Sequence, residues 1–307
     1  MLDSPSKTTD VSVNARTNPM RITNPKFLLF LIVFWGILIA LAPETISNLL
    51  EYAIFSLLGV LGAIFANSTG AGGGVVFIPM FNQLQFTEIQ AIATSFAIQC
   101  FGMTAGGLTW YYHYKLECKP YGLWPGFFPV IKVSALSSII GLWSVYGLAL
   151  APPASLHYSF SWFSLLLGIC IITIALVIKP QPVHRHLKIV DWFMIVVIST
   201  FGGAVTAWLS VGIGELIAIY LIIRRFDVNM AVAVAVIVSV LTVWAGIWQH
   251  TLVNFNVYWQ VVLFAGPGAI LGGVLAKAIV AKLSAKRLKV FFAFWLIVIG
   301  VVGIIIG

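Results

Sequence analysis

Two short runs carry the chemistry that this sequence offers. Asn67-Ser68-Thr69-Gly70-Ala71-Gly72-Gly73-Gly74 lies inside an almost charge-free apolar stretch. Ser210-Val211-Gly212-Ile213-Gly214, running on into Glu215, gives the same S-x-G-x-G pattern 142 positions later. Gly reaches backbone angles closed to other residues and weakens helices, so each run predicts a break in an apolar helix. The half-helix after a break presents unpaired N–H groups and the positive end of its dipole, which suits a small anion. Gly70, Gly72, Gly73 and Gly74, and Gly212 and Gly214, let such a ligand approach the backbone, while Asn67, Ser68, Thr69 and Ser210 add side-chain donors. Glycines of this kind also serve simple close packing of helices. The polar residues attached to both breaks favour the site reading.

Glu215 is the one acid set deep in the apolar region, where an ionisable residue is a functional hypothesis by default. A carboxylate there competes with an anionic ligand for the same N–H groups. That suits proton coupling, or gating by the ligand's arrival; a plain helix-capping carboxylate is the alternative. Second-tier candidates are Thr94, Ser95 and Gln99 beside the first break, Ser239 and Thr242 beside the second, and Lys132 within a span. Hydroxyls in spans often bond their own backbone. Lys132 either adds positive charge to an anion path or snorkels to the inner surface.

Other chemistries are unsupported. His113, His157, His184, His186 and His250 lie at span ends or in loops, and no H-E-x-x-H spacing or Walker A motif occurs. Cys100, Cys118 and Cys170 show no ligand or disulfide pattern. No nucleophile–base pair stands out, so no enzyme, cofactor or metal site is expected.

The elements that must hold these runs are membrane helices. The chain is 61% hydrophobic and 8% charged over 307 residues, against about 25% charged in a soluble domain. Its net charge of +8 reads as Lys and Arg gathered in cytoplasmic loops, not as a nucleic-acid surface. The expected organisation is a disordered cytoplasmic tail (1–26), an N-terminal membrane segment (27–47), a first transmembrane repeat (48–178), a basic Pro-punctuated linker (179–190) and a second repeat (191–307). Ala40-Leu41-Ala42 also resembles a cleavage site, which leaves a signal-like reading of the first segment open. A spanning helix needs about 20 residues, and the arms after both breaks, Val75–Phe81 and Leu216–Ile223, are shorter.

Trp110 and Trp248, Thr104 and Thr242, and Pro129 and Pro267 match at an offset of 138. With a four-residue deletion after the short arm, these agree with the offset of the breaks and predict an internal repeat. With a cytoplasmic N-terminus and each broken segment returning to its own side, the loops at 115–119, 179–188, 224–225 and 282–289 fall inside. Those at 43–47, 82–88, 150–157 and 250–256 fall outside and contain no Lys or Arg, as the positive-inside rule requires. The repeats are then inverted and the C-terminus lies outside. The expected fold is therefore an all-α polytopic membrane protein with two inverted repeats, each a broken re-entrant hairpin plus three spans. Matched breaks in corresponding halves point to the binding site of a transporter.

The run from Asn67 to Gly74, followed by a short arm ending in Ile78-Pro79, resembles the first signature of the TauE/SafE sulfite exporter family, also called the toluene-sulfonate uptake permeases. Ser210-Val211-Gly212-Ile213-Gly214 resembles the second, and the resemblance covers about residues 48–306. It implies secondary transport, mostly export, of sulfite, sulfonates or thiosulfate across a bacterial inner membrane. The partners it implies are a small anion and the lipid bilayer, with proton coupling and homo-oligomerisation left open. Glu215 departs from the family's small-residue pattern. A carrier of another small anion or a metal ion, or a passive anion channel, is the competing reading.

Overall fold

The computed structural model describes residues 25–40, 50–177, 186–282 and 285–306. The expected tail before 25, the loop at 43–47, the start of the linker and the turn at 283–284 lie outside the described residues. The first expected segment is helix α1 (Pro25–Ala40), which belongs to a unit separate from residues 41–307.

Within residues 41–307, α2 (Phe55–Thr69) follows a single 3-10 turn and is broken from α3 (Gly74–Gln83). Then come α4 (Glu88–His113), α5 (Phe127–Gly147) and α6 (Leu156–Val177). After the linker, α7 (Ile189–Leu209) is broken from α8 (Ile213–Ile223), followed by α9 (Val228–Trp248), α10 (Trp259–Lys282) and α11 (Ala285–Ile306). Seven of the described helical stretches are long and apolar enough to cross a membrane. The arms α3 and α8 have 10 and 11 residues, about 15 Å of helix against a hydrocarbon core of about 30 Å. Both breaks fall where the glycine runs predict them.

Local signals recur in the two halves at 140 positions. The short arms end in the left-handed residues Gln85 (φ 60°) and Arg225 (φ 63°). Each end is closed by a backbone bond, Phe86 N–H to the Phe81 carbonyl (3.1 Å) and Phe226 N–H to the Leu221 carbonyl (3.0 Å). Thr87 then caps α4 by accepting from Gln90 N–H, and Asp227 caps α9 by accepting from Met230 N–H. The packing recurs as well. Helix α2 lies along α10 as α7 lies along α5, and α4 lies on α10 as α9 lies on α5. Helices α4 and α9 pack on each other, as do α6 and α11. The central helices are the least exposed: 78% and 72% of their span windows are buried, against 33–50% for the other five.

The arms are fastened back toward the helices they follow. The Phe55 ring at the start of α2 lies 6.2 Å from the Phe81 ring near the end of α3. Arg224, just past α8, pairs with Asp191 in the first turn of α7, and Tyr220 donates its hydroxyl to the same carboxylate at 2.9 Å.

Small residues allow the close helix pairs. A Cβ on Gly203 of α7 would overlap the Ser138 carbonyl of α5, and a Cβ on Gly272 of α10 would overlap the Val60 carbonyl of α2. In a bilayer such contacts hold helices together, because lipid is as apolar as a leucine face. Replacing Gly203 with Val is expected to lower stability by about 2 kcal/mol or more through overpacking, read as an earlier thermal unfolding transition in detergent.

Candidate functional site

The two breaks meet. A Cβ on Gly74 would lie 2.7 Å from the Ser210 carbonyl oxygen, and one on Gly72 would lie 3.3 Å from it. From the other side, Gly214 abuts the carbonyl of Gly70. Helix α2 ends on Gly70 in the left-handed conformation (φ 84°), and its N–H closes on the Ala66 carbonyl. Helix α7 ends on Ser210, which takes the same conformation (φ 59°) without being glycine, an uncommon and strained state for a residue with a side chain. Gly212, at φ 142°, then starts α8 in a region that favours glycine.

Glu215 holds the crossing together. It is buried at 3% exposure and occupies the third position of α8, reaching back to the N-cap as the acid of a capping box does. Its Oε2 accepts from Gly212 N–H at 2.8 Å, and its Oε1 accepts from Gly72 N–H of the other break, also at 2.8 Å. One carboxylate thus bridges the backbone N–H groups of both tips. No Lys, Arg or His is among its hydrogen-bond partners.

Gln99 makes a second bridge. From α4 its Oε1 accepts from Gly73 N–H at 2.9 Å, while its Nε2 donates to the Ser210 carbonyl and hydroxyl at 3.1 and 2.8 Å. The Ser210 hydroxyl donates in turn to Ser95 Oγ at 2.9 Å. These bonds hold Ser210 in its left-handed conformation. Gln99, Ser95, Ser210, Gly72, Gly73, Gly74, Gly212, Gly214 and Glu215 therefore form one contiguous set.

The other expected residues are placed differently. Asn67 is buried next to Gly106, but its side-chain amide N–H donates to the Ala63 and Gly102 carbonyls, and its backbone carbonyl accepts from the Trp110 indole. The Ser68 hydroxyl donates to the Ala276 carbonyl and that of Thr69 to Phe65, four residues back. Thr94 accepts from Tyr258 N–H, and Thr242 bonds Ser138 on α5 at 2.6 Å. Lys132 is exposed on α5, as a long side chain that snorkels would be. Ser239, by contrast, is buried against Gly214, and its Oγ has no hydrogen-bond partner.

Sequence reasoning missed Thr206, whose Oγ1 accepts from Ile213 N–H at 3.0 Å at the start of α8. Its signal was a hydroxyl one helical turn before the second break. Among the described residues no group of three or more His, Cys, Asp or Glu is placed to hold a metal ion.

A sequence model described as "Sulfite exporter TauE/SafE" matches residues 55–302, from the start of α2 into the last turns of α11. No curated protein and no solved structure matches the chain. With that family match over most of its length, and seven helices fit to cross a bilayer, the chain belongs to the TauE/SafE sulfite exporter family of membrane transporters.

Proposed function

We propose that this protein is a secondary transporter that exports small sulfur-containing oxyanions such as sulfite, sulfonates or thiosulfate, through a site at the crossing of the two breaks. The observation that carries this reading is the Glu215 carboxylate held by Gly72 N–H and Gly212 N–H. A carboxylate offers two oxygens on one edge, as a sulfite or sulfonate does. Glu215 therefore stands where such an anion binds, and an arriving anion displaces it. Among the described residues the carboxylate has no cationic hydrogen-bond partner, and taking up a proton on displacement neutralises it, which couples the anion to a proton. Asn67, Ser68 and Thr69 position the end of α2, while Gly70 to Gly74 and Ser210 to Gly214 form the binding backbone.

The architecture belongs to the same proposal. Two inverted repeats, α2–α6 and α7–α11, follow the extra segment α1, with re-entrant hairpins at α2–α3 and α7–α8. The shared offset of 140 positions in the arm ends and caps supports the repeat, and so does the paired helix packing. The Phe55–Phe81 and Asp191–Arg224 contacts support hairpins that return toward their start. The charge distribution of the loops supports an N-terminus in the cytoplasm of a bacterial cell and a C-terminus outside. Rocking one repeat against the other exposes the crossing alternately to each side.

The test is thermal unfolding of the purified protein with sulfite, thiosulfate, methanesulfonate, acetate and divalent metals. A ligand that binds the folded state raises stability by mass action. Sulfur oxyanions are expected to stabilise the wild type selectively, and Gly72→Leu, whose side chain would strike Gln99 and Ser210, is expected to lose the effect. Stabilisation by metals alone, or by nothing in the panel, refutes the assignment. Saturable counterflow in vesicles separates a carrier from a channel.

A further inference from the structure

We propose that Ser239 is the residue by which the crossing tells a three-oxygen sulfonate or sulfite from a two-oxygen carboxylate. The inference rests on the site reading above and adds its specificity. Two backbone N–H groups, those of Gly72 and Gly212, hold the two oxygens of Glu215. An anion that replaces Glu215 there gives those N–H groups two of its oxygens. A carboxylate then has none left, whereas a pyramidal SO3 group has a third that needs a donor of its own.

Ser239 is the hydroxyl at hand. It lies on α9 at 3% exposure, and a Cβ on Gly214, the residue before Glu215, would be 2.6 Å from its Oγ. The same Cβ would strike the Gly70 carbonyl, so Ser239 stands where both tips pass. The neighbouring hydroxyls are all engaged: Ser95 and Ser210 with each other and Gln99, Thr69 with Phe65 and Ala71, Thr206 with Gly202 and Ile213. Ser239 Oγ is buried without a partner, an arrangement that costs free energy and calls for an explanation.

The position is also one that reads the tips in the other half. Ser239 stands 140 residues after Gln99, the interval that relates the arm ends and caps of the two halves. Gln99 reaches across and binds both tips. Serine at the matching place is too short to do so and keeps its donor for something else. That asymmetry puts the ligand on the α9 side of the crossing.

The experiment measures binding of methanesulfonate and acetate, which share a methyl group and differ in the third oxygen, to wild-type and Ser239→Ala protein. The wild type is expected to prefer methanesulfonate. In Ser239→Ala that preference should shrink about tenfold, the worth of one hydrogen bond to a charged group, while acetate affinity stays the same. Ligand-free thermal stability should be unchanged or raised, because the variant removes an unsatisfied hydroxyl. Equal weakening of both anions, an unchanged preference, or a destabilised ligand-free protein overturns the role of Ser239 and leaves the site reading intact. A wild type that takes neither anion overturns the site reading, and this inference with it.

Discussion

Replacing Glu215 with Ala is expected to give a protein that unfolds more readily without ligand and yet gains more from an anion than the wild type does. Both effects come from the same two bonds. In the wild type, Gly72 N–H and Gly212 N–H each donate to a carboxylate oxygen at 2.8 Å. Hydrogen bonds to charged groups contribute about 1.5–3 kcal/mol each, and both donors are left unpaired by the substitution, so a loss of about 3–6 kcal/mol is expected in the absence of anion. Added methanesulfonate restores partners to both donors without first displacing a tethered carboxylate, whose effective concentration is at least in the millimolar range. Its affinity should therefore rise at least tenfold, seen as a larger upward shift of the unfolding temperature. Glu215→Gln keeps one acceptor and should fall between the two. If Glu215 were only a helix cap, the alanine variant would lose stability and the anion would restore none of it. That outcome would remove the anion site from the crossing.

The sequence announced the breaks but not their register. The two S-x-G-x-G runs match at 142 positions, yet the helices before them end at Thr69 and Leu209, which are 140 apart. Ser68 is accordingly inside α2 with its hydroxyl on another helix, while Ser210 is the residue that ends α7. The residues that are structurally equivalent, Gln85 and Arg225, have nothing in common as side chains. They are matched by backbone conformation and by a main-chain bond that any residue can make. The interval is 140 both before and after the short arms, so the four-residue deletion expected there is absent and Trp110 and Trp248, matched at 138, are not counterparts; their exposures are 2% and 52%. Glu215 and Gln99 were legible because a polar group in an apolar span must find a partner. What each would bond was not legible, because the partners are backbone groups 143 and 26 residues away. Apolar periodicity gives no help in a helix that is apolar nearly all round, so the outward face of Lys132 had to come from the structure.

Replacing Gly214 with Ala is expected to destroy anion binding while costing only about 1–2 kcal/mol of stability. In a helix this change alone would stabilise by up to about 1 kcal/mol, since alanine is the better helix former. Here the added methyl meets the Gly70 carbonyl and, at 2.6 Å, the Ser239 hydroxyl. A serine side chain can rotate away, but the carbonyl belongs to the backbone of the opposing tip and moves only if that tip moves. Overpacking of this kind costs about 1–3 kcal/mol, which outweighs the propensity gain. The displacement matters more than the energy. Gly70 is two residues from Gly72, so pushing its carbonyl aside carries Gly72 N–H away from Gly212 N–H and separates the pair that grips two oxygens. Methanesulfonate affinity should fall more than tenfold. Gly147→Ala is the control: it makes the same change in the last turn of α5, where nothing lies within 4 Å, and should leave binding as it is while stability stays level or rises by up to about 1 kcal/mol. Gly203→Val is the converse case. It injures a helix pair outside the two breaks, so stability should drop while the folded fraction still binds the anion at its usual affinity. If Gly214→Ala instead behaves as Gly203→Val does, losing stability but keeping its affinity, the glycines at the tips are there for packing, and the anion must be sought elsewhere in the fold.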